Sequence, residues 1–261
     1  MAVQKKPELF SFAFFSNYQS SVNFLASMTP TELWDFSGSH TNNNAILKNY
    51  LEYTFQKVNE ERNIAFTPDN KFACFNTGLV TTKLEEIYAL FEKNHSTMIG
   101  SSPYFFKAFL KESDGQLLST FSGILPKRAN YFQTPEDLIF NPNCSIIPDL
   151  DHIITDNINR FPSHLSAASE DEIRRQLIGA IDEVKKQVKT NYKVAVPQYY
   201  RNKIQLLLPL CLTAGSPNPD LALVIYKVNS TTYCARTCLT LQMAYTNARL
   251  IVRPQSEWLK P

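Results

Sequence analysis

The sequence predicts an α+β fold, with an antiparallel C-terminal meander sheet covered by helices, in a single domain over residues 1–261. Three observations carry this expectation. Residues 44–61 and 170–190 repeat apolar side chains every three or four positions, the spacing of a one-sided helix. The apolar runs "QLLLPLCL" (205–212), "DLALVIYKV" (220–228) and "TYCARTCLTL" (232–241) are separated only by "TAGSPNP" and "NSTT", which are too short for a helical crossover. No repeat, low-complexity tract or linker divides the chain.

Taken in order, the first expected helix starts at Thr29-Pro30-Thr31-Glu32, a hydroxyl cap followed by proline at the first helical position. The second, 44–61, presents Leu47, Tyr50, Leu51, Thr54, Phe55 and Val58 on one face. Residues 71–75 and 79–82 read as strands flanking a tight turn at Asn76-Thr77-Gly78, with Gly78 supplying positive φ. Thr82 and Glu85 have capping-box spacing, and "YFFKAFL" (104–110) reads as a strand. Thr134-Pro135-Glu136-Asp137 repeats the threonine–proline start. A short helix over 152–159 is expected with Asp151 as its cap, Leu150, Ile154, Ile158 and Phe161 on its apolar face, and an Asp156–Arg160 ion pair. Ser169 and Glu172 open the helix 170–190, whose stripe is Ile173, Leu177, Ile181, Val184 and Val188. After the meander, a helix from Leu241 places Gln242, Thr246, Arg249 and Arg253 on one stripe.

The 261 residues are 44% hydrophobic and 12% aromatic, a composition that folds rather than stays disordered. Five cysteines without paired spacing argue against a disulfide framework or a zinc ribbon and fit a reducing compartment. The apolar run near the N-terminus is interrupted by Ser11 and no window is long enough to span a bilayer, so a cytoplasmic protein is expected. Net charge is +2, but its distribution is uneven. From residue 184 onward there are eleven basic and two acidic residues, which leaves residues 1–183 at −7. Such asymmetry points to an anionic partner.

Four places carry candidate chemistry. In "PDLDHIITDNINRFP" (148–162), His152 lies between Asp149 and Asp156, with Asp151 adjacent; a histidine with a carboxylate is the material of a general base, or of a divalent metal site as an optional cofactor. Asn76, Thr77 and Gly78 offer an amide and close backbone approach to a phosphate or base edge, although no Walker or dinucleotide glycine pattern is present. In "KTNYKVAVPQYYRNKIQ" (189–205), Lys193, Arg201 and Lys203 interleave with Tyr192, Tyr199 and Tyr200, the combination that neutralises phosphates and stacks bases. In "LTLQMAYTNARLIVRP" (239–254), Arg249 and Arg253, with Gln242 and Asn247 nearby, suit a bidentate phosphate clamp. No nucleophile elbow occurs, and His40 and His95 fall in polar loops.

The phrases "ILKNYLEYTF", "FNTGLVT", "IYALFEKN", "DLDHIITDNINRFP", "NYKVAVPQYY", "IQLLLPLCL" and "LTLQMAYTNARLIVRP" together resemble the family catalogued as domain of unknown function 3825, over residues 46–259. Members of that family occur beside LOTUS (OST-type winged-helix) RNA-binding modules, so the resemblance implies RNA-related work by association. It brings no catalytic or binding residues with it. The expected function is therefore a binding or processing domain for RNA or a phosphorylated nucleotide, with its anionic site in the basic C-terminal half. The alternatives are a phosphodiesterase or nucleotide hydrolase using His152, Asp149 and Asp151, and a protein-interaction domain.

Overall fold

The computed structural model describes residues 7–36, 43–96, 98, 101–121, 124–216 and 218–260, within two compact units, Met1–Asn130 and Tyr131–Pro261. Each unit is built on an open five-stranded mixed sheet, so the fold is α+β. Among the described residues no helix is long and apolar enough to cross a membrane.

The N-terminal unit runs α1 (Glu8–Phe12), β1 (Ala13–Phe14), α2 (Tyr18–Met28), α3 (Ala45–Glu60), β2 (Ala65–Phe66), β3 (Phe72–Val80), β4 (Glu86–Lys93), β5 (Tyr104–Lys111) and α4 (Gly115–Phe121). Its sheet order is β1-β5-β4-β3-β2, with β1 and β5 parallel and the other pairs antiparallel. The expected stripe of α3 is buried as read and packs on β3. There Phe55 meets Phe75 at a ring distance of 5.2 Å, and Phe75 stacks on Phe91 at 5.9 Å. Each such pair contributes about 0.5–1.5 kcal/mol beyond its buried area. On the other face, Cys74, Tyr88 and Leu90 pack with Leu117 and Phe121 of α4.

Three local expectations fail here. Asn76-Thr77-Gly78 is no hairpin turn; β3 runs straight through it with a register shift between Asn76 and Val80, a β-bulge. Gly78 still adopts φ 73°, and Tyr50 Oη donates to the Thr77 carbonyl at 3.0 Å beside it. Thr29 closes α2 rather than opening a helix, its hydroxyl donating back to the Ala26 carbonyl at 2.9 Å. Thr82 and Glu85 fall in the β3–β4 turn, closed by Thr81 N–H to the Glu85 carbonyl at 2.8 Å, with Leu84 at φ 65°.

The C-terminal unit begins with one 3-10 turn at Pro135–Leu138, all that the second threonine–proline start yields. It continues through β6 (Ser145–Pro148), α5 (Leu150–Asn157), α6 (Ser163–Ser166), α7 (Glu170–Thr190), β7 (Val196–Tyr200), β8 (Lys203–Leu210), β9 (Leu221–Asn229), β10 (Thr232–Thr240) and α8 (Leu241–Arg249). The meander is confirmed as antiparallel β7-β8-β9-β10, and β6 adds a parallel edge strand beside β10. The sequence reading missed β6 and β7. Strand β7 turns into β8 through Arg201 (φ 46°) and Asn202 (φ 62°), a two-residue connection with both residues left-handed. Helix α7 is capped by Ser169, which accepts from the Glu172 N–H, and it buries its predicted stripe. Leu206, Leu208, Leu210, Leu221, Leu223, Ile225, Tyr233 and Ala235 form one sheet face that packs with α5 and α7.

Gly78→Ala should lower the urea midpoint of the protein by an amount equivalent to about 1–3 kcal/mol, because a Cβ there would stand 2.7 Å from Tyr50 Oη at a left-handed φ. A midpoint within error of wild type would refute the bulge contact. Burial pushes the Cys74 and Cys238 thiols up to about 12 from an ordinary 9.0. The unfolded chain therefore ionises first, so this contribution to stability is complete below pH 9 and declines from pH 9 toward 12. Unfolding midpoints measured from pH 7 to 10.5 should fall above pH 9, and less steeply in Cys238→Ala.

Candidate nucleic-acid interface

Side chains alternate along a strand, so the residues between those of the core-facing set occupy the opposite face of the C-terminal sheet. Registered pairs carry this second face across the strands: Val196 with Leu207, Leu207 with Val224, Gln198 with Gln205, Tyr200 with Lys203, Tyr226 with Cys234, and Cys234 with Ile147. Helix α8 turns back from the end of β10, capped by Thr240, and packs on β7, β9 and β10. Its Asn247 donates to Gln198 Oε1 at 3.1 Å, which places α8 on this second face. Leu207, Ala222 and Val224 are fully buried, whereas Tyr200, Lys203, Val228, Ile147 and Arg236 are exposed and Gln205, Tyr226 and Cys234 half-buried. The open part of the face thus combines aromatic rings, aliphatic surface and cations.

Several of these side chains have neighbours that position them. Tyr200 is 44% exposed, with the Arg201 guanidinium 5.3 Å from its ring centre. Tyr226 faces Cys234 on the adjoining strand; Cys234, then burial, raise its pKa, and Arg236 acts in the opposite direction. Arg236 sits at a register shift in β10, between Ala235 and Thr237, and its Nε lies 3.2 Å from Asp149 Oδ2. Behind that bulge, Arg160 donates to the Cys238 carbonyl and to Asn157 Oδ1, both at 2.5 Å, and Thr237 donates to the same Asn157 oxygen at 2.9 Å.

The other predicted residues are distributed more widely. Asn76 and Thr77 belong to the N-terminal unit and are buried: Asn76 donates to Glu86 Oε2 at 2.8 Å and accepts from the Gly78 N–H, and Thr77 donates to the Ile87 carbonyl. Tyr199 and Tyr200 point to opposite faces of β7, so they do not form one stacking surface; Tyr199 meets Tyr131 edge-on at 4.9 Å. Lys193 is exposed in a 3-10 turn, where its carbonyl accepts from the Ser256 hydroxyl. Gln242 is exposed and Asn247 half-buried on α8. The helix expected to carry both arginines ends at Arg249, and Arg253 lies beyond it, because the following Pro254 disfavours helical backbone at Arg253. His40 is outside the described residues.

At α5 two ionic expectations are corrected. The cap is Asp149, accepting from the His152 N–H at 3.3 Å, not Asp151, whose carboxylate instead meets Arg174 at 2.6 Å. Asp156 pairs with His152 Nδ1 at 3.1 Å, since Arg160 turns inward to the β10 carbonyl. Asp149 and Asp151 are thus engaged by arginines rather than by the imidazole. No group of three or more His, Cys, Asp or Glu among the described residues is placed to hold a metal ion. A separate groove of about 730 Å³ along α7, lined by His164, Gln176, Glu183, Cys211 and Thr213 among others, has no lysine or arginine in its wall and does not suit a phosphate.

The residues missed from sequence are Gln198, Gln205, Tyr226 and Arg236. Alternation across the Arg201-Asn202 turn, pairing Gln198 with Gln205 and Tyr200 with Lys203, was the available signal. The uneven charge also resolves: residues 1–130 hold twelve basic and twelve acidic side chains, so the acidic excess lies wholly in 131–183, within the same unit as the basic segment.

A family model described as Domain of unknown function (DUF3825) matches residues 25–258. No curated protein matches the chain, and no solved structure does.

Asp149→Ala should destabilise the protein by about 1 kcal/mol through loss of the cap, and Asp149→Asn by only a few tenths, because asparagine caps equally well and the exposed ion pair adds little. Equal losses in chemical denaturation would show that the Arg236 pair, not the cap, is what matters.

Proposed function

This chain belongs to the DUF3825 domain family, and from that premise we propose that its C-terminal unit binds RNA on the sheet face left open by α8. The observation that carries the reading is the juxtaposition on one face of Tyr200, Tyr226, Lys203 and Arg236, with Arg201 at its rim. Ring faces stack bases irrespective of sequence, and lysine or arginine neutralises the phosphates between them. The half-exposed strand face suits an unpaired chain, whose bases are free to lie flat, better than a duplex. Lys193, Arg249 and Arg253 extend the basic surface of the unit, and a phosphorylated nucleotide is the smallest ligand the same groups would take. A cytoplasmic setting, expected from the cysteine spacing, goes with this role.

A hydrolytic reading retains one observation, the His152–Asp156 pair, in which the carboxylate orients an imidazole 38% exposed to solvent. RNA and nucleotides incubated with the protein separate the two: turnover lost in His152→Ala would favour hydrolysis, and intact substrate would leave binding.

Binding of a labelled single-stranded RNA across a salt series tests the proposal. Affinity should fall as salt rises, and Tyr200→Ala should weaken it about tenfold, the value of one stacked base. Lys203→Ala should reduce the slope of log K against log salt by about 0.7, one phosphate contact on a single strand. Undetectable or salt-independent binding would refute it.

A further inference from the structure

A relay of three amides crosses the junction between α8 and the open sheet face. Asn247 Nδ2 donates to Gln198 Oε1 at 3.1 Å, and Gln198 Nε2 donates to Gln205 Oε1 at 2.9 Å. Gln198 is 1% exposed, so both ends of its amide must be satisfied inside the protein, and these two bonds do so. The relay has a direction. Gln205 contributes its oxygen to Gln198, which leaves the donors of its half-buried NH2 group for another partner. Bonds in series polarise one another, which strengthens the last donor of the chain.

That donor lies next to a ring. The register pairs Leu206 with Ile225, which brings Gln205 beside Tyr226 on the adjoining strand. On the side away from Gln205, Tyr226 faces its register partner Cys234 of β10. A base stacked on Tyr226 would present an edge to the Gln205 amide.

We infer that Gln205 is a specificity-determining residue that selects bases carrying an exocyclic keto oxygen, uracil and guanine, over those carrying an amino group there, cytosine and adenine. The inference rests on the reading that this face binds RNA. A keto oxygen accepts from the Gln205 amide. An amino group meets it donor to donor, leaving an N–H unpaired at a partly dried contact, and unpaired polar groups of this kind are costly enough to discriminate.

Uracil and cytosine differ at the exocyclic group of carbon 4 and in the protonation of ring nitrogen 3, so ten-residue oligomers of each make the comparison. The wild-type protein should bind the uridine oligomer about tenfold more tightly than the cytidine oligomer. Gln205→Glu keeps one oxygen for Gln198 and replaces the NH2 with a second acceptor, so the ratio should reverse in favour of cytidine, whatever the added charge does to both affinities. Gln205→Leu should bring the ratio to one and leave the salt dependence unchanged. Equal wild-type affinities, a wild-type preference for cytidine, or a ratio that Gln205→Glu does not move would overturn the inference while leaving RNA binding in place. Absence of binding to either oligomer would overturn the reading of the face, and the inference with it.

Discussion

The arrangement of the C-terminal unit depends on one guanidinium. Arg160, at the end of the α5 segment, donates to the Cys238 carbonyl inside β10 and to Asn157, which in turn accepts from Thr237. Backbone carbonyls at an irregular strand position lack regular ladder partners, and a side chain with several fixed donors satisfies them at one stroke. The bond therefore anchors the helix layer to the sheet at the point where β10 bulges. The bulge in turn shifts the phase of the strand, carrying Arg236 to Asp149 and leaving Cys234 and Tyr226 side by side. The cap of α5 and the cationic group on the open face are thus consequences of the same local geometry.

Helical cover on the two sides of this sheet is unequal, and the sequence pays attention to the difference residue by residue. On the α5–α7 side, β8 and β9 bury leucine and isoleucine at Leu206, Leu208, Leu210, Leu221, Leu223 and Ile225. On the other side they are apolar under α8, then change to Gln205, Lys203 and Tyr226 where cover ends. A fully covered sheet would read as continuous hydrophobic runs, and a bare one as strict alternation. The mixture along each strand records where α8 stops.

Long helices were legible because period and caps agree: Ser169 with its stripe down to Val188 leaves little room for another structure. The meander was legible for a similar reason, short turns between β-branched runs. What failed were signals of two or three residues. Thr82 and Glu85 have the spacing of a capping box, but Leu84 takes a left-handed turn instead. Gly78 was read correctly as needing positive φ, yet the same φ serves a bulge as well as a turn, and the choice was made by Tyr50, 28 positions earlier. In the same way Asp156 had two partners within helical reach, His152 and Arg160, and the Cys238 carbonyl, 78 residues beyond Arg160, removed one of them. The candidate face was half visible: Tyr200, Arg201 and Lys203 are contiguous, but Tyr226 and Arg236 join them only through strand pairing, which spacing along the chain does not reveal.

The charge pattern has a further consequence. Acidic and basic side chains of the C-terminal unit meet in pairs, Asp149 with Arg236, Asp151 with Arg174 and Asp182 with Lys186. Exposed pairs of this kind exchange partners at little cost, so an anion arriving at Arg236 competes with a carboxylate already seated there rather than filling a vacancy.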